Sequence, residues 1–290
     1  MRLISNSLWD FSDLLDLEAL GPSVATDCRE DILGANRPRL FFPSGREAIA
    51  SALASLALCP EDEVLITNSS GQTYIVSCVT CTVFNYCKPA RVLTDTTRAI
   101  LIIHEYGVPH PQLKELLAVA AERGIPVIED CAHAFDSRVD GKPIGSFGTY
   151  AVYSQPKSLP VQCGGILVGA NLDAIANQPD PVLDASLRAE FERHAHLLPY
   201  LSKRRRDNFR AVRQAFADLP VLFECGPEVT PFVIGLRTRE AMRIRHEHNA
   251  VAWASTMDQD MLLIPTNPLV SSGQLVQAVR GAFAPQHMRK

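Results

Sequence analysis

Lys157 lies in SQPKSLPVQCGG (154–165), a stretch punctuated by prolines and carrying no other charge, with no acid within ten residues on either side. Burial of a lysine that lacks a counter-charge disfavours its ammonium form and frees the amine to attack a carbonyl. Asp130 closes the apolar run IPVIED (125–130) and so stands at the carboxyl end of a strand, the edge where open α/β sheets bind ligands. Ser44, Gly45 and Arg46 open a strongly helical run, and the N–H groups at such a helix start attract an anion. Each feature alone has a plain explanation: a surface lysine, a solvated acid, an N-cap. Together they are the parts needed to hold a phosphorylated pyridine aldehyde.

The elements that would position these groups follow from periodicity. In PSGREAIASALASLAL (43–58), Ile49, Leu53 and Leu56 recur at helical spacing, and EVLIT (63–67) reads as a strand. TYIVSCVTCTVF (73–84) is rich in β-branched residues, but its length and its place between two strands favour a buried helix. ARVLT (90–94), AILII (99–103), IPVIED, TYAVYS (149–154) and GGILVG (164–169) read as strands, and PQLKELLAVAAERG (111–124) as a helix opened by Pro and closed by Gly. The connection QPKSLPVQC shows no helical period. Beyond about residue 171 come a turn-like NQPDPV, a charged helical stretch from Leu187 to Leu219, strands at PFVIGL (231–236) and MLLIP (261–265), a basic helix at 238–248 and a final helix from about 272. Strands alternating with helices imply a mainly parallel sheet in an α/β fold.

Composition narrows the function. The 290 residues are 47% hydrophobic and 21% charged, as expected of a folded globular chain rather than a disordered or fibrous one. A net charge of -4 provides no broad positive field for a phosphodiester backbone, so nucleic acid is not expected as a partner. No apolar run approaches the roughly 18 residues needed to span a bilayer. The acid-dotted N-terminus lacks the pattern of a secretory signal, so a cytoplasmic location is expected, with the eight cysteines reduced and free of disulfides.

Four blocks resemble the DegT/DnrJ/EryC1/StrS sugar aminotransferases: DEVLIT (62–67), AILIIHEYG (99–107), GIPVIEDCAHAFDSRVDGKPIGSFGTYAVYS (124–154) and PKSLPVQCGGILV (156–168). Weaker similarity runs through SKRRRDNFRAV (202–212) and PFVIGL. The resemblance implies a three-layer αβα, mainly parallel sheet of the fold type I class dependent on pyridoxal 5′-phosphate, with a smaller C-terminal α+β domain. The expected divisions are an N-terminal segment at 1–40, a cofactor-binding domain at 41–185, and a helical linker with the small domain at 186–290. It further implies that Lys157 bonds to the cofactor aldehyde and serves as acid/base, and that Asp130 keeps the pyridine nitrogen protonated. His133 falls beside the ring. Gly45, Arg46 and Ser154 hold the phosphate, Tyr74 stacks on the ring, and His104 and Tyr106 border the substrate pocket. The implied reaction passes an amino group from an amino-acid donor to a keto-sugar or other small carbonyl metabolite in a homodimer. With the lysine present, the family branch in which His replaces it, with dehydratase chemistry, is disfavoured. Another reaction of the same cofactor on an amino acid (decarboxylation, elimination, replacement or cyclisation) and a silent partner subunit are the rivals.

This chain departs from the family pattern. Arg46 replaces the Thr of the phosphate turn, the Ser154–Lys157 spacing is short, and only TDTTR separates ARVL from AILII where a helix is usual. The Gly-Tyr-Asn-Tyr-Arg-Met segment that reaches the partner subunit has no clear counterpart between 170 and 201. No metal site is expected: Cys78-x-x-Cys81 with Cys87 lacks a second pair, and His194/His196 and His246/His248 point apart on helices. Lys203 to Arg206 reads as a solvated helix face or, across a dimer interface, as a contact with an anionic substrate.

Overall fold

The computed structural model describes Leu33 and residues 37–72, 77–248 and 258–284. Within them a seven-stranded sheet forms from β1 (Arg39–Phe42), β2 (Glu63–Asn68), β3 (Lys88–Ala90), β4 (Thr97–Ile103), β5 (Val127–Asp130), β8 (Tyr150–Ser154) and β9 (Gly165–Gly169), in the order β1-β9-β8-β5-β4-β2-β3. The run from β3 to β8 is parallel, and β9 and β1 add on antiparallel. A small hairpin of β6 (Arg138–Val139) and β7 (Lys142–Pro143) precedes β8.

Strand alternation builds two cores from one sheet. Ala99 and Leu101 of β4, Val64 and Ile66 of β2 and Leu167 of β9 pack against α1 (Gly45–Ala54) and α2 (Ser77–Phe84). Ile100 and Ile102, Leu65, Ile166 and Val168 face the opposite way, towards α3 (Leu113–Arg123) and α5 (Pro181–His194). The three-layer αβα arrangement follows. A further core joins α6 (Leu198–Ala215), α7 (Ala241–Glu247) and α8 (Ser272–Phe283) to the antiparallel pair β10 (Val233–Arg237) and β11 (Met261–Pro265). This is the smaller α+β unit. The division expected at 185 falls inside α5, whose Leu187 and Phe191 pack on the large sheet.

Three local expectations need correction. ARVLT is not a strand: β3 ends at Ala90, because the edge pairs only with β2 through Leu65, and Val92 is 68% exposed. The lysine loop contains one helical turn, α4 (Gln155–Ser158), with Pro156 near its start, where the missing N–H costs nothing. RLFF, flanked by Pro38 and Pro43, forms β1. The helix expected over 73–84 is present from Ser77, and Tyr74 lies outside the described residues.

The loop after β4 gives the fold a pH dependence. His110 accepts the Gln112 N–H at Nδ1 and meets Thr67 Oγ1 at 2.9 Å through Nε2, a pattern that fits only the neutral ring. Burial, aided by neighbouring His104, pushes His110 down to about 4 from 6.5. The unfolded chain therefore binds this proton first, and the group's contribution is complete above pH 6.5 and declines as pH falls towards 4, by up to about 3 kcal/mol. Denaturant midpoints are expected to drop between pH ~7 and ~4.5, and to drop less in His110→Gln.

Candidate active site

The carboxyl ends of β5 and β8 and the start of α1 converge on one place. Asp130 ends β5, is 6% exposed, and accepts the Ala132 N–H at Oδ1 (3.0 Å). Lys157, on α4 just after β8, is partly buried, with its Nζ 3.1 Å from His133 Nε2. Burial pushes the Lys157 ammonium down, opposed by the charge of Asp130. Burial pushes the Asp130 carboxyl up, opposed by Lys157. His133 is held well below its ordinary value by burial, then by the charges of Lys157 and Arg205. The Tyr106 N–H points at His133 Nδ1 (3.3 Å), so the hydrogen-bond pattern places the ring proton on Nε2, donating to an uncharged Lys157 amine. Burial thus disfavours the charged form of all three groups, and Lys157 and Asp130 each oppose that effect at the other.

Gly45 and Arg46 begin α1 behind the N-cap Ser44, which takes the Glu47 N–H and donates its own hydroxyl proton to the Glu47 carboxylate. The N–H groups of Gly45 and Arg46 donate to no acceptor among the described residues, as expected of a first turn whose cap takes the Glu47 N–H. Ser154 is adjacent: a Cβ placed on Gly45 would lie 3.7 Å from its Cβ. The Arg46 side chain is exposed. Gly165 lets the turn sit against β9, since a Cβ there would meet Ser44 C and O at 2.3 Å and Gly45 N at 2.5 Å. These are backbone atoms that cannot yield, so Gly165→Ala is expected to cost about 3 kcal/mol and to weaken anion binding at this turn. Chemical denaturation together with titration of inorganic phosphate checks both effects.

Two residues expected to border the substrate pocket are buried. His104 is 1% exposed with both ring nitrogens engaged, Nε2 with Glu129 Oε2 (3.1 Å) and Nδ1 with the His110 N–H, so it supports the sheet edge rather than bordering a pocket. Tyr106 is 3% exposed and stacks on His133 at a centroid distance of 6.1 Å. Sequence reasoning also overlooked residues. Glu129 is fully buried and accepts N–H groups from Gly145, Phe147 and Gly148, which leaves no oxygen for a metal beside His104 and Cys131. Phe232 stacks on His133 at 4.6 Å. Its segment is stitched to the large sheet by the Phe232 N–H to Tyr106 O bond (2.7 Å), and Gly107 at φ 84 permits an approach that any Cβ would block at Thr230 O.

Residues 39–178 match the model of the DegT/DnrJ/EryC1/StrS aminotransferase family, just under half of the chain. An L-glutamine:scyllo-inosose aminotransferase of Streptomyces griseus is 32% identical over 145 residues, which cover 45% of this chain and 34% of that protein. The match spans about a third of the length of the first such relatives. Among solved structures, a DegT DnrJ EryC1 StrS aminotransferase from Brucella abortus superposes with TM-score 0.70 at 14% identity, covering 97% of this chain and 92% of that one. The E. coli GDP-4-keto-6-deoxy-D-mannose-3-dehydratase gives TM-score 0.69 at 15% identity, covering 97% and 98%. The fold is therefore that of this class of enzymes. No helix among the described residues is long and apolar enough to cross a membrane.

Proposed function

We propose that the protein is a pyridoxal-phosphate-dependent aminotransferase, passing an amino group from an amino-acid donor to a keto-sugar or other small carbonyl metabolite. The supporting observation is the Lys157 side chain, its ammonium form disfavoured by burial, 3.1 Å from His133 and in the field of Asp130, beside a helix start whose first N–H groups lack acceptors among the described residues. The residues fit the cofactor at both ends. An anion cradle lies at Gly45, Arg46 and Ser154, and an acid with one oxygen unclaimed among the described residues lies at Asp130.

When bound, pyridoxal phosphate supplies an aldehyde that captures amines and a protonated ring that accepts the electron pair left by a departing proton. Asp130 would pair with the ring nitrogen, and its burial would strengthen that pairing. Lys157 would hold the aldehyde through its amine and would be the group placed to take up and give back a proton there. His133 keeps Lys157 in the amine form through the tautomer set by the Tyr106 N–H. Backbone N–H groups at Gly45 and Arg46 bind the phosphate without side-chain reorganisation.

The same reading takes the protein to be a cytoplasmic homodimer, as the resemblance implies. The full chain, incubated with pyridoxal phosphate and freed of excess, is expected to show a visible absorption band that a donor amino acid bleaches in one turnover. Release of one equivalent of the donor's 2-keto acid should accompany the bleaching, and a carbonyl acceptor should restore the band. A band that no amino acid converts would replace transamination with another reaction of the cofactor. Failure to bind the cofactor at all would favour a silent partner subunit.

A further inference from the structure

Tyr106 has a left-handed backbone, φ 58 and ψ 20, in the tight turn Glu105–Gly107 that follows β4. A bulky residue rarely adopts this conformation, and it persists only where surrounding contacts over-determine it. At Tyr106 itself they are the N–H directed at His133 Nδ1 (3.3 Å) and the carbonyl that takes the Phe232 N–H (2.7 Å). The preceding residue supplies the rest. Glu105 is 6% exposed, and both its carbonyl and its carboxylate meet the loop leaving β2. Ser69 Oγ donates to Glu105 O (3.1 Å), Ser70 Oγ donates to Glu105 Oε2, and the Ser69 N–H donates to Ile103 O (3.0 Å) at the end of β4. Ser70 also takes the Gln72 N–H (3.3 Å), which closes the loop on itself. Burial pushes the Glu105 carboxyl up, opposed by its bonds with the hydroxyls of Ser70 and Tyr106.

A buried carboxylate is a costly way to join two loops, and an apolar side chain would fill the same space without that cost. What the carboxylate adds is direction. While the Tyr106 N–H bonds Nδ1, His133 carries its proton on Nε2 and presents a donor to Lys157 Nζ (3.1 Å), which favours the amine. With that N–H withdrawn, the ring is free to move its proton to Nδ1, and the lone pair left on Nε2 favours the ammonium. We propose that Glu105 is a positioning residue: with Ser69 and Ser70 it clamps the turn after β4 to the end of β2, holding the Tyr106 N–H on His133 and so the His133 donor on Lys157. The inference rests on the proposed function for the use made of Lys157, whereas the clamp and the tautomer belong to the chain alone.

The test follows the His133 ring by nitrogen NMR of the histidine-labelled full chain without cofactor at neutral pH, with His133→Gln identifying its resonances. Wild type should show the proton on Nε2. Glu105→Ala should give a mixture of the two tautomers, whereas Glu105→Gln, whose amide oxygen still accepts the Ser70 hydroxyl, should keep the wild-type form. Ser70→Ala, which leaves the carboxylate in place, should fall between them. A second arm adds pyridoxal phosphate and times the rise of the visible band. Glu105→Ala should capture it about tenfold more slowly than wild type, the equivalent of one unit in the Lys157 pKa, and Glu105→Gln should restore most of the rate. A wild-type chain that captures no cofactor overturns the proposed function, and the tautomer then decides the clamp by itself. An unchanged Nε2 proton in Glu105→Ala overturns the proposal, even if that variant melts at a lower temperature, because Glu105 would then be only a strut between two loops. Should Glu105→Ala not fold, an unchanged tautomer in Ser70→Ala overturns it equally.

Discussion

Lys157→Ala is expected to lower amino-group transfer by about a thousandfold or more while leaving the chain folded. The variant removes the nucleophile that binds the cofactor aldehyde and the acid/base that moves the proton. It takes away little packing, since the amine's hydrogen bond is to His133 alone among the described residues. Electrostatically, Asp130 loses the charge that opposes the effect of burial and so protonates more readily, while His133 loses a charge that holds its pKa down. Lys157→Arg should be as inactive, because a guanidinium stays protonated and cannot act as an amine. The wild-type rate should rise with pH through an ionisation below the 10.5 of a free lysine, and the variants should lose that limb. Small primary amines in the buffer should restore part of the Lys157→Ala rate without altering its melting temperature. Single-turnover absorbance measurements across pH give all of these readings. Transfer within tenfold of wild type in Lys157→Ala would end the assignment.

The separation between what was and was not legible in the sequence follows burial. Lys157 was conspicuous because a lone charge in an apolar, proline-bounded segment has few structural uses, and Asp130 because it ended an apolar strand. Glu129 was obscured by Asp130. In a strand adjacent side chains take opposite faces, so one acid of the pair faces the lysine while the other enters a buried network with His104 and the 145–148 turn. Arg205 was hidden in a run of four basic residues. Its spacing of four from Leu201 and from Phe209 places it on the apolar stripe, a signal that charge counting discards and helical period retains. The sheet was readable because β4, β2 and β8 are long enough to alternate. β3, at an edge, and β1, four residues between prolines, are fixed by pairing partners far away in sequence. The stitching of Tyr106 and Gly107 to 230–232 is a tertiary contact without any local pattern.

Glu129→Gln is expected to destabilise the fold by about 4 kcal/mol although it changes one atom in shape, because two buried donors are left facing a third. Oε1 of Glu129 takes the N–H groups of Phe147 (2.8 Å) and Gly148 (2.6 Å), which an amide oxygen could still accept. Oε2 takes the Gly145 N–H (3.0 Å) and His104 Nε2 (3.1 Å), and an NH2 group in its place accepts neither. His104 cannot relieve the conflict by moving its proton, since its Nδ1 already accepts the His110 N–H. Burial alone raises the Glu129 pKa, but the His104 contact and the N–H groups of Gly148 and Gly145 outweigh it and hold the carboxyl below 4.5. Its contribution is therefore present above the unfolded value and lost as pH falls through the folded one. The stability gap between wild type and Glu129→Gln should be full at neutral pH and close as pH falls below 4.5 through the lowered folded value, a pattern that a generic packing defect does not produce. Denaturant titrations at several pH values measure it, and a gap independent of pH would assign the effect to packing. The loss should extend to the site. The network fixes the turn that feeds β8, and the His104 N–H bonds Asp130 O, so cofactor affinity should fall in the variant even under conditions where it remains folded.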